Sequence, residues 1–297
     1  MAQTFDTATR TLVASARLKR PAGRRVYWLL VVLVVIAFSI VFLGPLYWMV
    51  TGGLKSASEF ANIPPTIAPK HPQFGDYKEA WTSLSLGRLL WNTIYYAVGA
   101  LAFQLVLDIS AAFAFSKLRP AGSKIILGMM LGTLMIPSTV LIIPQYVNIH
   151  DLPILHLNLL DTPWAIWLPA VTNAFCIFLL KRFFDAIPDD LMAAAAIDGA
   201  GPLRTLWSIV LPMSRPIIGV VSIFSVTAVW KDFLWPLLAE PGPKTKTLNV
   251  GIYAFSGSLS PNIVIAAAVI ASVPTVIFFL IFQRNIMAGL TAGSLKG

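Results

Sequence analysis

The sequence is poor in the residues from which catalytic and metal sites are usually built. It has one cysteine, Cys176, which cannot form a disulfide within the chain, and three histidines, His71, His150 and His156. The zinc-protease pattern HExxH, paired CxxC motifs and the serine-hydrolase pattern GxSxG are all absent. The ligand sets of zinc enzymes and the nucleophile signature of serine hydrolases are therefore missing. We expect a chain that is not an enzyme and holds no metal.

Charge is also scarce. Charged residues fill 12% of the 297 positions, 57% are hydrophobic, and the mean hydropathy is +0.76. Because backbone polar groups in a bilayer must bond to one another, apolar runs of about 20 residues indicate spanning helices. Six such runs occur, at residues 26–50, 90–115, 125–147, 163–180, 217–238 and 263–282. The sequence thus predicts an all-α polytopic membrane protein with six transmembrane helices.

The basic residues are distributed unequally between the loops. Fifteen of the 22 lysines and arginines lie in the terminal segments and in the loops after the second and fourth spans, against six in the opposite loops. Because positive residues stay in the cytoplasm, both termini are predicted to be cytoplasmic. This topology accounts for the net charge of +9 without nucleic-acid binding. We expect a cytoplasmic tail at residues 1–25 and a single transmembrane domain at 26–297.

A polar stretch from Ala193 to Pro212 lies within the predicted cytoplasmic loop, at about 185–214. Asp189 and Asp190 favour a helix start, because carboxylates there can accept free backbone N–H groups and meet the positive end of the dipole. A short helix is predicted from Leu191 to Asp198. Gly199 is placed to end it in a left-handed conformation, and Pro202 is suited to the first position of the next helix.

No phosphate-binding GxxxxGK[ST] motif is present in the chain. Such a loop wraps the phosphates of a bound nucleotide. If ATP drives this protein, the nucleotide must therefore bind to another chain, and the cytoplasmic loop is the natural place for that partner.

The loop resembles the signature of permease subunits of binding-protein-dependent ABC importers. That signature consists of EAA, three residues, a glycine, nine residues and I-x-L-P. Its matches here are Ala193, Ala194, Ala195, Gly199, Ile209, Leu211 and Pro212. The flanking IPDDL, IDGA and LPMSRP are similar to the carbohydrate-uptake branch. Ala193 departs from the pattern, because the family usually has Glu there.

The resemblance extends over roughly Asn92 to Gly297. SAAFAFSKLRPAGSK, MIPSTVLIIPQY, FLLKRFFDAIP, WKDFLWPLL and TLNVG are similar to segments of maltose-type six-span permease subunits. The resemblance implies the type I ABC importer permease fold in the inner membrane. The implied partners are a second permease subunit, a cytoplasmic ATPase dimer that holds ATP and Mg, an extracytoplasmic solute-binding protein and a carbohydrate. This chain itself is expected to bind no cofactor.

The resemblance also implies which residues couple the chain to the ATPase. They are Ala193, Ala194, Ala195, Asp198, Gly199, Ile209, Leu211 and Pro212. The tail around Gly289 to Gly297 is implied to touch the same partner. Which sugar or polyol is carried stays open, because specificity in such systems is shared with other subunits.

Three charged residues lie within predicted spans and are candidates for the substrate pathway, together with Trp230. They are Asp108, Lys231 and Asp232. A carboxylate in the membrane costs about 2.5–3.5 kcal/mol on insertion scales, so Asp108 must face protein or water. A hydrogen-bonding role for Asp108, an ion pair of Lys231 with Asp232 and interfacial anchoring by Trp230 are the alternatives. An ion-coupled secondary transporter that uses these charges is the alternative function.

Two further patterns concern helix packing. Pro137 and Pro144 are seven residues apart and are therefore predicted to lie on one face of the third helix. The small residues from Ala266 to Ala268 give the sixth span a surface suited to close packing.

Overall fold

The computed structural model describes residues 21–292, with side chains to Gln283. The predictions for residues 1–20 and for side chains of the Gly289–Gly297 tail lie outside this range. The regular structure of the described part is helical apart from one isolated bridge between Leu152 and Leu157. Its fifteen α-helices are α1 (Pro21–Gly52), α2 (Ala57–Phe60), α3 (Gly75–Ser83), α4 (Leu86–Phe113), α5 (Ser123–Thr133), α6 (Ile142–His150), α7 (Pro163–Ala170), α8 (Ala174–Asp185), α9 (Asp189–Ile197), α10 (Pro202–Thr205), α11 (Leu211–Met213), α12 (Arg215–Lys231), α13 (Leu234–Ala239), α14 (Leu248–Phe255) and α15 (Pro261–Ala292).

Three helices are long and apolar enough to cross a membrane without interruption. They are α1, α15, and α4 with its π-helical extension Ala114–Leu118. These helices contain the predicted spans 26–50, 90–115 and 263–282. The runs 125–147 and 163–180 form bent pairs of helices, and the run 217–238 is interrupted between α12 and α13, so composition located these runs but did not reveal their breaks.

The predicted third span, 125–147, is broken in the middle. Helix α5 ends at Thr133, a 3₁₀ turn covers Ser138–Leu141, and the two halves meet at 94°. Pro137 precedes the 3₁₀ turn with extended backbone, whereas Pro144 lies in the first turn of α6, where a missing N–H costs no hydrogen bond. The expectation that the two prolines share one helix face is therefore wrong.

The predicted fourth span, 163–180, changes direction between α7 and α8. The two helices are bent by 48° at Val171 to Asn173. The side chain of Asn173 accepts the backbone N–H of Cys176 at 3.1 Å. A new helix start is thus capped inside the apolar run, which explains why the second half does not continue the first.

The predicted fifth span, 217–238, is interrupted after Lys231. The backbone of Asp232 is extended, and helix resumes at Leu234 as α13. Pro236 explains the break, because it has no N–H to donate to the carbonyl of Asp232 in a continuous helix.

Helix α4 lies at the centre of the fold and contributes to all three apolar clusters. It packs against α8 and α12 around Phe113 and Leu180, against α7 and α13 around Tyr96 and Trp235, and against α14 and α15 around Leu89. By contrast, α1 is exposed along nearly its whole length. A central α4 therefore connects the loop end of the molecule to its opposite end.

The small-residue surface of α15 does pack closely within the chain. A Cβ atom on Gly53, at the end of α1, would lie 3.0 Å from the Cα atom of Ala266. Ala266 and Ala267 are fully buried. The close approach expected for the sixth span is thus made with the segment that follows the first.

Candidate functional site: the 185–214 loop and the helix breaks

The glycine in the 185–214 loop ends α9 as the sequence predicts. Gly199 has φ +75°, the N–H of Ala200 donates to the carbonyl of Ala195 at 2.8 Å, and the N–H of Gly199 donates to that of Ala196 at 3.1 Å. This pair of bonds is the Schellman motif, which satisfies the free carbonyls of a helix end. Pro202 begins α10. The turn between α9 and α10 is therefore closed by backbone hydrogen bonds.

The beginning of α9 differs from the expectation that its carboxylates bond free N–H groups. Asp189 forms two salt bridges instead, to Lys117 Nζ at 2.8 Å and to an Arg119 guanidinium nitrogen at 3.0 Å. The hydrogen bond and positive charge of Lys117, assisted by Arg119, lower the pKa of Asp189 below its ordinary value. Lys117 also donates to the carbonyl of Ile187 at 2.6 Å. The π-helical end of α4 thus holds the start of α9.

A second carboxylate connects the same end of α4 to α8. Asp185 accepts the hydroxyl of Ser116 at 2.7 Å on one oxygen and Lys181 Nζ at 2.7 Å on the other. Neither Ser116, Lys117 nor Arg119 was identified from the sequence. The only available signal was that a basic loop and an acidic loop share one predicted side of the membrane.

The loop exposes apolar side chains on its outer surface. Ile197 is 86% exposed, Leu203 73% and Trp207 70%. Of the three alanines in the EAA positions, Ala195 is buried against the protein, whereas Ala193 and Ala194 are exposed, as is Asp198. The surface of α9, α10 and the π-helical segment that follows them therefore carries large exposed apolar side chains beside the exposed charges of Asp198 and Arg204, and exposed apolar groups of this kind mark protein contacts.

The end of the loop anchors it to the core. Leu206 and Val210 are buried in the cluster formed by α4, α8 and α12, and Ile209 and Leu211 are half-buried. The segment Leu206–Val210 is π-helical, because Pro212 cannot donate the regular bond one turn back. The helical stretch from Pro202 to Met213, which comprises α10, the π-helical segment and α11, then meets α12 at 84°.

Asp108 lies fully buried on α4 beside the break between α7 and α8. One oxygen accepts the hydroxyl of Thr172 at 3.1 Å and the backbone N–H of Asn173 at 3.0 Å, and the other accepts Gln104 Nε2 at 3.0 Å. The carboxylate thus replaces partners that a continuous fourth helix would have supplied. These contacts favour the hydrogen-bonding role over exposure to a pathway.

The residues around the break after α12 have separate surroundings. Lys231 is exposed, and among the residues with described side chains it forms no salt bridge with Asp232. Asp232 accepts the N–H of Trp235 through one long contact of 3.5 Å. Trp230 is half-buried beside α14, and its carbonyl accepts Asn249 Nδ2 at 3.0 Å. The ion pair that was one alternative for Lys231 and Asp232 is therefore not formed in this part of the chain.

Trp235 repairs a defect that a proline creates in α7. Pro169 has no N–H to donate to the carbonyl of Ala165, and Trp235 Nε1 donates to that carbonyl at 2.9 Å. This bond connects α13 to α7 across the interior. It holds the wall of a cavity formed where the helix breaks meet.

That cavity has a volume of about 400 Å³. Its polar lining comes from Ser138 and Thr139 at the third-span break, Gln145 on α6 and Asp232 after α12, with Ile166 and Trp235 among its apolar lining. The first three were not singled out by the sequence. In the sequence they could have been recognised as polar side chains that follow prolines inside an apolar run.

Comparison with known proteins identifies the family of this chain. A family model described as binding-protein-dependent transport system inner membrane component matches residues 104–291. The sulfoquinovosyl glycerol transport system permease protein of Agrobacterium fabrum is 32% identical over 257 residues, covering 85% of this chain and 88% of the relative. The diacetylchitobiose uptake system permease protein of Streptomyces coelicolor is 29% identical over 267 residues, covering 88% and 86%.

One solved structure supports the fold. It is a chain of a bacterial ABC transporter involved in the import of the acidic polysaccharide alginate, with a TM-score of 0.78, 21% identity, and coverage of 92% of this chain and 99% of that one. The predicted all-α ABC importer permease fold and the expectation of a non-enzymatic transport subunit are confirmed. A secondary transporter that works alone is not favoured. The chain belongs to the family of inner membrane components of binding-protein-dependent transport systems.

Proposed function

We propose that the chain is one of two membrane subunits of an ATP-driven carbohydrate importer, with both termini in the cytoplasm. Two relatives are named for the uptake of diacetylchitobiose and sulfoquinovosyl glycerol, and the excess of basic residues favours this orientation. A second permease subunit, a pair of cytoplasmic ATPases that bind ATP and Mg, and an extracytoplasmic solute-binding protein complete the transporter. This chain binds no nucleotide and performs no chemistry.

The observation that carries this proposal is the apolar surface of the 185–214 loop. Ile197, Leu203 and Trp207 are exposed on short helices that are capped, anchored and salt-bridged to the rest of the chain. Such a surface on the aqueous side of a membrane protein suits a soluble partner, and the missing phosphate loop requires one. Ala193 extends the apolar contact, because a methyl group stands where the family usually has a carboxylate.

The contacts of the loop define how a push on α9 reaches the membrane. Asp189 transmits it to the end of α4 through Lys117 and Arg119, and Asp185 transmits it to α8 through Ser116. The helical stretch from Pro202 to Met213 transmits the push to α12 through the 84° bend. Closure of the ATPases on ATP would thus tilt α4, α8 and α12, of which α12 lines the cavity through Ala228 and Val229, giving alternating access with energy supplied by the partner.

The proposal is tested by placing a charge on the apolar surface. Ile197→Asp should reduce the ATPase that co-purifies with the tagged chain by about tenfold, because a carboxylate would be buried against an apolar partner. Ile63→Asp is the matched control, since Ile63 is 95% exposed and lies in the segment between α1 and α4 that is predicted to be extracytoplasmic. Equal recovery of ATPase with both variants would contradict the proposed contact.

A further inference from the structure

We propose that the cavity at the helix breaks is a carbohydrate subsite that takes a neutral or cationic sugar ring and excludes sugars bearing phosphate, sulfonate or carboxylate groups. This inference rests on the proposed function as a carbohydrate importer. It assigns a site and a charge class of substrate to residues of this chain.

The polar groups of the cavity are available to a ligand. The side chains of Ser138, Thr139 and Gln145 make no hydrogen bond to any residue whose side chain is described. The Asp232 carboxylate faces the backbone N–H groups of Phe233, Leu234 and Trp235, the last at 3.5 Å, and accepts from no described side chain. Ser138 and Thr139 are exposed and Gln145 is half-buried, so their polar atoms are accessible to a ligand. The cavity is therefore an open recess with accessible polar groups in a mainly apolar wall.

The polar side chains that line the cavity match the hydrogen-bonding groups of a sugar. Hydroxyls and an amide both donate and accept, and a carboxylate accepts from hydroxyl groups, so together they complement a ring that carries several hydroxyls. Ile166 and Trp235 supply apolar surface for the C–H face of such a ring. The volume of about 400 Å³ lies within the range of small-molecule sites.

The lining of the cavity carries one negative charge. Among the residues with described side chains, Asp232 is the charged member of the lining, and no lysine, arginine or histidine lines the cavity. Lys231 is exposed outside the lining and forms no salt bridge with Asp232 in the part of the chain with described side chains. A recess with one negative charge and low-dielectric walls repels anions and concentrates cations. Neutral and amino sugars are accepted, and acidic sugars are excluded.

Asp108 provides the internal contrast. Its carboxylate accepts hydrogen bonds from Gln104, Thr172 and Asn173, and Asp108 does not line the cavity. Of the two carboxylates beside helix breaks, Asp232 is thus the one with accepting capacity left for a substrate.

The charge of the cavity is measured by cysteine labelling of the complex purified from its native membrane. Cys176 is replaced by Ala, Thr139→Cys places a thiol in the cavity, and the reagents are a cationic and an anionic methanethiosulfonate of similar size. We expect the cationic reagent to be favoured by on the order of tenfold, relative to the same ratio at Ser83→Cys. Adding Asp232→Asn should remove that preference. An unreactive thiol at 139, preference for the anionic reagent, or no effect of Asp232→Asn would overturn the assignment.

Ligand class is measured by protection of the same thiol. Maltose, N,N′-diacetylchitobiose and sn-glycerol 3-phosphate are added as probes at equal concentration. Slower labelling with a neutral sugar and no change with sn-glycerol 3-phosphate is the expected result. Protection by sn-glycerol 3-phosphate, or by none of the three, overturns the assignment. Labelling needs no ATP turnover, so failure here and failure of the Ile197→Asp test are distinguishable.

Discussion

Two carboxylates within predicted spans stand beside helix breaks, and their surroundings differ. Asp108 is fully buried and accepts three hydrogen bonds at the break of the fourth span, whereas Asp232 is half-buried and lines a cavity at the break of the fifth. The sequence treats the two alike, as candidates for the pathway. The difference lies in the donors nearby. The oxygens of Asp108 accept hydrogen bonds from groups at a helix break, whereas the oxygens of Asp232 line a cavity where a ligand can reach them.

The largest effect is expected from Asp108→Ala. It removes the acceptor of the buried Gln104 donor and of the part-buried donors of Thr172 and Asn173, and each such loss costs about 1–3 kcal/mol. We expect a destabilisation of at least about 3 kcal/mol, seen as a lower Tm and poor recovery of folded protein in detergent. Asp108→Asn, which keeps one acceptor oxygen, should lose less. A Tm unchanged by Asp108→Ala would contradict the structural role.

The next effect concerns the bond that connects α13 to α7. Trp235→Phe removes the donor to the Ala165 carbonyl and should lower the free energy of unfolding by about 1 kcal/mol. Pro169→Ala supplies a backbone N–H to the same carbonyl, so Trp235→Phe should cost less in that background. A double-mutant cycle read by thermal unfolding gives the coupling. Strict additivity would argue against the repair of the proline defect.

A small change in stability is expected from Asp232→Asn. Its partners within the chain are the N–H groups of the next three residues, which an asparagine oxygen can still accept, so the Tm should change by no more than corresponds to about 0.5 kcal/mol. Transport and the charge preference of the cavity should change instead. If Asp232→Asn destabilised the chain as strongly as Asp108→Ala, the distinction between the two carboxylates would fail.

The smallest effect belongs to Asp189, which is exposed. Its pKa is lowered by Lys117 and Arg119, so the ionised form is favoured in the folded state. The stabilisation is therefore present above the unfolded pKa of about 4 and is lost as the pH falls below it. The Tm difference between the natural chain and Asp189→Asn should be constant from pH 8 to about 5 and shrink below pH 4. A difference that grows on acidification would contradict the salt bridges.

Local chemistry made the 185–214 loop predictable. Gly199 needs a left-handed backbone and Pro202 suits a first helical position, so the end of α9 and the start of α10 follow from neighbouring residues alone. Long apolar runs likewise located the membrane segments. Both signals are contained within a few consecutive residues.

The breaks and the cavity were not predictable in the same way. An apolar run has one composition whether its helix is continuous or bent, and the break at Asn173 depends on Asp108, which lies on another helix. The salt bridges of Asp189 depend on the end of α4, some 70 residues away. The effect of Pro236 on the carbonyl of Asp232 was available from spacing and explains the interruption of the fifth span.

The central claim is that α9 couples the chain to its ATPase. It is tested most directly by comparing two single substitutions, Gly199→Val and Gly201→Val. Gly199 has φ +75° and Gly201 φ −71°, and a Cβ atom meets no neighbour at either. Gly199→Val should strain the cap by about 1–2 kcal/mol, whereas Gly201→Val fits extended backbone before a proline. The readout is binding-protein-stimulated ATP hydrolysis in the reconstituted complex. The account predicts that stimulation falls several-fold with Gly199→Val alone; unchanged stimulation with Gly199→Val would contradict it.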